Sequence, residues 1–102
     1  MIDSDQQRFR EISAEFRTII LEMFTQYYVM HKTGRTLEEL VLMSDIIGAG
    51  QDTSNQILSA QRRTIALACK AADEDVPLPV AIGAMDAMLR NVENESYRLL
   101  YE

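Results

Sequence analysis

From Thr36 to Arg63 the chain reads TLEELVLMSDIIGAGQDTSNQILSAQRR. Thr36-Leu37-Glu38-Glu39 is a Thr-x-x-Glu capping box, in which the threonine hydroxyl and the glutamate satisfy each other's backbone donors, so a helix is expected to open at Leu37. Leucine, valine, methionine and isoleucine then follow through Ile47, and Gly48-Ala49-Gly50 breaks the pattern. A second helix is expected from Asp52-Thr53-Ser54 onward, with Thr53 as a candidate cap. Helix, glycine turn, helix is therefore the expected unit. Leu37, Leu40, Val41, Leu42, Met43, Ile46 and Ile47 are apolar over most of a helical circumference, which predicts that this helix is the most buried one.

Working outward, Lys32-Thr33-Gly34-Arg35 ends an earlier helix with a glycine where a left-handed cap is expected. That first helix spans about 5–31, with Asp3 or Ser4 as cap. Phe9, Ile12, Phe16, Ile19, Met23 and Met30 recur along it at three- and four-residue spacing, interrupted only by Gln26. Ile20, Phe24 and Tyr27 widen the stripe beyond what one neighbouring helix covers, so part of it is expected to meet a second copy or another protein.

Alanines at 60, 66, 68, 71 and 72 suit the third helix, 53–72, to close packing. Asp73-Glu74-Asp75 places three acids at the unfavourable end of the dipole and argues that the helix has finished by Ala72. Val76-Pro77-Leu78-Pro79 is an extended connection, because a residue before proline avoids helical torsions. The last helix, 79–100, carries Met85, Met88, Leu89, Val92 and Leu99, with Gly83 as an expected site of close packing. The prediction is an all-α, four-helix small domain, 1–102, with helices at 5–31, 37–47, 53–72 and 79–100. With 102 residues the core is adequate but small, and a dimer is expected.

The pair 37–47 and 53–72 resembles a DNA-binding helix-turn-helix. Gly48 would stand at the turn, Met43 and Ile47 on the buried side, small Ser44 at the crossing, and Ile57 in the core. Ser54 departs from the pattern, which usually has a buried aliphatic residue there. The resemblance implies that the third helix meets DNA, and its polar face offers Thr53, Asn55, Gln56, Ser59, Arg62 and Arg63, residue types that bond bases or phosphates. Net charge is −6, divided as −2 over residues 1–30, +1 over 31–72 and −5 over 73–102. Only the middle third escapes repulsion by nucleic acid, and such an acidic chain lacks the cationic surface on which DNA affinity mostly rests. The alternative expectation is an acidic helical protein–protein interaction module, an anti-activator, chaperone or adaptor, that does not touch DNA. In either case Phe9, Ile12, Phe16, Ile19, Met23, Leu99, Leu100 and Tyr101 are the expected dimer or partner surface.

Other chemistry is sparsely provided. His31 is the single histidine, at a helix end where its charge suits the dipole, so a multi-histidine metal site has no ligands. Cys69 is the single cysteine and reads as a small core residue, with an intersubunit or redox thiol as the alternative. No glycine-rich phosphate loop occurs, and Glu11 with Glu15 reads as a solvated face. Neither catalysis, a cofactor nor a metal is expected. No apolar run approaches the ~20 residues of a membrane span. The acidic, polar start MIDSDQQRFR lacks a secretory pattern, so the expected location is cytoplasmic.

Overall fold

The computed structural model describes the backbone of residues 2–49 and 55–102 and the side chains of 4–45 and 59–102. The described residues form four helices, α1 (Ile2–Lys32), α2 (Leu37–Ala49), α3 (Asn55–Asp73) and α4 (Leu78–Tyr101), and no strand. The expected all-α class is what the chain adopts.

Two helix ends share one hydrogen-bond design. After α1, the Arg35 amide reaches back to the Met30 carbonyl and Gly34 to His31, with Gly34 at φ 109°. After α3, Val76 reaches Ala71 and Asp75 reaches Ala72, with Asp75 at φ 55°. Both are Schellman ends, which need a left-handed residue just past the helix. Gly34 takes that conformation as expected; aspartate tolerates it better than most side chains. The α2 start is also as expected in one half: the Glu39 amide donates to the Thr36 hydroxyl at 3.1 Å, while the Glu39 carboxylate turns to Arg35 at 3.7 Å.

Several expectations are corrected. α1 begins at Ile2, so Asp3 and Ser4 lie in its first turn instead of capping it. α2 continues through Gly48 and Ala49, so Gly48 is helical and the connection to α3 falls at 50–54, outside the described residues. Among the described residues α3 is the helix that packs against α1, α2 and α4, whereas of the described side chains of α2, 37–45, Leu40 and Ser44 are buried and Leu42 and Met43 are exposed. The cause is size: Ala68, Cys69 and Ala72 let α3 sit close to its neighbours, while the bulky Leu37, Leu42 and Met43 of α2 point away from the bundle that Leu40 enters. Gly83 makes no close approach, since a Cβ there would meet open space.

The larger core cluster joins Ile20, Phe24 and Tyr28 of α1 to Ala68 and Ala72 of α3 and to Ala81 and Met85 of α4. Leu40, Ile65 and Cys69 form a second cluster with Tyr27, Met30 and Val41 against it. α4 runs back along α1, from the Tyr28 hydroxyl, which donates to the Val76 carbonyl at 2.6 Å, to the Tyr101 hydroxyl, which donates to the Asp5 carbonyl at 3.3 Å. The overall extents are 51 × 33 × 17 Å.

Candidate functional site

α1 and α4 form a two-helix arm whose groove is only half used. α3 lies over residues 20–28 of α1 and 81–85 of α4, with small side chains that let it settle between them. Beyond α3 the groove continues as an open trough of about 320 Å³ lined by Phe9, Ile12, Ser13, Phe16, Arg17, Leu89, Val92, Glu93 and Ser96. Ile12 is 66% exposed, Phe16 52%, Ile19 48% and Val92 64%. A second shallow trough of about 280 Å³ runs between α3 and α4 past Leu67, Ala71, Met85 and Met88.

The arm is locked by charge at the trough itself, whose lining includes Arg17 and Glu93. Glu93, nearly buried, accepts hydrogen bonds from Arg17 at 2.7 Å and Arg10 at 3.1 Å, and Arg17 also faces Asp86 at 3.4 Å. The Arg10 guanidinium lies 3.9 Å over the Tyr97 ring, and Phe9, Tyr97 and Tyr101 pack edge and tilt against one another at 5.0–5.9 Å. These contacts fix the spacing of α1 and α4, which keeps the open trough a preformed shape instead of a collapsed one.

The residues predicted for partner contact divide accordingly. Ile12, Phe16 and Ile19 stand exposed along α1, Met23 is partly covered beside α3, and Leu99 and Leu100 are exposed at the end of α4. Phe9 and Tyr101 are engaged with each other. Val92 lines the first trough and Met88 the second; the spacing of three and then four from Met85 through Met88 to Val92 is visible in the sequence. The Arg10–Arg17–Glu93 clamp had no such trace, because both arginines lie 76 or more positions from Glu93.

Of the residues predicted for DNA contact, Thr53 and the side chains of Asn55 and Gln56 lie outside the described residues. Ser59 and Arg63 are exposed on α3. Arg62 is engaged with Asp45 of α2 through both carboxylate oxygens, at 3.0 and 3.1 Å. Ser44 is buried and donates to Gln61 of α3 at 3.2 Å; Met43 is 36% exposed instead of buried.

His31 closes the end of α1. Its Nδ1 lies 2.7 Å from the Arg35 carbonyl oxygen and its Nε2 2.7 Å from the Asp73 carboxylate. Both partners are acceptors, and only the cationic ring donates from both nitrogens. The Asp73 hydrogen bond, followed by that to Arg35, accordingly raises the His31 pKa above its ordinary value. Burial, with Asp73 and Glu38 adding to it, pushes the Cys69 thiol up, which leaves little thiolate and a residue suited to packing. Among the described residues no three His, Cys, Asp or Glu side chains are grouped to hold a metal ion, and no helix is long and apolar enough to cross a membrane.

No protein-family model, curated protein or solved structure matches the chain.

Proposed function

We propose that this chain is an acidic helical protein-interaction module that works through the open half of the α1–α4 groove. The supporting observation is the exposure of Ile12, Phe16 and Val92 side by side along a trough that the Arg10–Arg17–Glu93 clamp holds open, with Ile19 exposed further along α1. Contiguous apolar surface of this kind on a water-facing bundle marks a place where another chain binds. A helix laid in the trough would continue the packing that α3 makes in the other half, burying apolar side chains at three- and four-residue spacing. The module then acts by occupancy: it sequesters, delivers or joins the protein that fills the groove.

A photo-crosslinking residue at Val92, compared with one at Ala87 on the outer side of α4, tests this in lysate of the native host. A discrete product at position 92, absent at 87 and lost on adding Phe16→Glu, supports the reading. Equal labelling at both positions sinks it.

The second reading is transcriptional regulation by DNA binding through α2 and α3. It is favoured by the absence of any acid in α3 before Asp73 and by the exposure of Ser59 and Arg63. Fluorescence anisotropy with a mixed duplex at low and physiological salt is its test. Salt-sensitive binding that falls in Arg62→Ala/Arg63→Ala supports it. A folded protein that leaves the duplex free at low salt removes it.

A further inference from the structure

The geometry points to a second copy of this chain as the occupant of the open groove, with α1 pairing antiparallel to α1 of the partner. This inference rests on reading the groove as a docking surface and names what fills it.

Area is the first argument. A folded monomer of this mass is expected to expose roughly 5,800 Å², and the chain exposes 7206 Å². The excess is on the scale that a standard interface removes from one partner, about 800 Å². Its radius of gyration, 15.3 Å, likewise exceeds the ~13 Å expected of a compact chain this long. Two such flat molecules stacked groove to groove would make one body of ordinary thickness.

The second argument is the seam itself. Phe9, Ile12, Phe16 and Ile19 follow a strict alternation of three and four, the spacing by which one helix packs on another in a coiled coil. Set antiparallel about the level of Ala14, Ile12 meets Phe16 of the partner subunit and Phe9 meets the partner's Ile19.

Charge fixes the direction. Arg8 and Glu22 lie on the outer rim of the seam, are exposed, and form no ion pair among the described residues. The antiparallel register places Arg8 beside the partner's Glu22, and the two-fold repeats the pair. A parallel register places Arg8 beside the partner's Ser13 and leaves both charges without a mate. The antiparallel register also sets Glu15 beside the partner's Glu15, a like-charge contact that holds the dimer below its tightest.

Sedimentation equilibrium from about 1 µM to 1 mM on the full chain is the test, with helix content followed by circular dichroism. The expected result is a monomer–dimer equilibrium that Phe16→Glu weakens by about 100-fold or more. Arg8→Glu and Glu22→Arg should each weaken it by about 3- to 10-fold, their combination should restore it, and Glu15→Gln should tighten it. Mixing Ile12→Cys with Phe16→Cys under mild oxidation should give the 12–16 mixed disulfide in preference to 12–12 or 16–16 products, with buried Cys69 left in place.

A chain that stays monomeric to 1 mM overturns the inference; if position 92 still crosslinks a different protein, the docking reading stands without it, and if it crosslinks nothing, both fall. A dimer indifferent to Phe16→Glu, or one that prefers the 12–12 and 16–16 disulfides, overturns the groove or the antiparallel pairing respectively.

Discussion

At Gly34 the chain takes a backbone conformation, φ 109°, that a side chain resists. The space around it is open, so Gly34→Ala is expected to cost about 1–2 kcal/mol through backbone strain alone, read by urea denaturation. Gly83 is the opposite case. It is exposed, helical and without close neighbours, so Gly83→Ala should stabilise by about 0.5–1 kcal/mol as the unfolded chain loses freedom. His31 gives a pH signature. Its folded-state pKa is raised by Asp73 and the Arg35 carbonyl, so its contribution is fully present below its ordinary value of 6.5 and is lost as pH rises through the higher folded value. Urea midpoints of wild type and His31→Gln should therefore differ at pH 5.5 and converge at alkaline pH, by no more than about 1 kcal/mol because Asp73 is well exposed.

Among the elements, α3 holds the molecule together and the α1–α4 arm gives it a working face. Leu40, fully buried, anchors α2 to Ile65 and Cys69 of α3, so Leu40→Ala should cost about 2–4 kcal/mol. The arm depends on Glu93. Glu93→Ala leaves Arg17, itself largely covered, without its shortest partner, and should cost about 1–3 kcal/mol. Amide exchange should then rise over 5–19 and 89–100, and remain protected at Ile65–Ala72. Uniform loss of protection would mean that the arm and the α3 core open together.

On the scale of the whole molecule the flat 51 × 33 × 17 Å form leaves apolar side chains in water that a rounder bundle would cover. Residues of the open face should accordingly be dispensable for the monomer. Phe16→Ser with Val92→Ser is expected to change its stability by less than about 1 kcal/mol, in contrast to Leu40→Ala, because surface substitutions away from buried features act weakly. Chemical denaturation at a concentration where the chain is monomeric checks this; a loss as large as that of Leu40→Ala would place the face in the core.

The sequence by itself determined the helical class, the glycine-capped end of α1, the threonine-capped start of α2 and the uncovered seam on α1, because capping and periodicity are local properties written over four to eight neighbouring residues. It also misjudged α2: a helix rich in leucine and isoleucine looks central, yet the alanines of α3 approach more closely and take that place. Tertiary structure alone decided that α3 stops short of the groove's end, that Arg10 and Arg17 converge on Glu93, and that Arg62 meets Asp45. Each of these joins residues 17 to 83 positions apart, and such meetings depend on where helices cross and how near their backbones come. That distance is set by side-chain volume on both partners at once, which no single stretch of the chain contains.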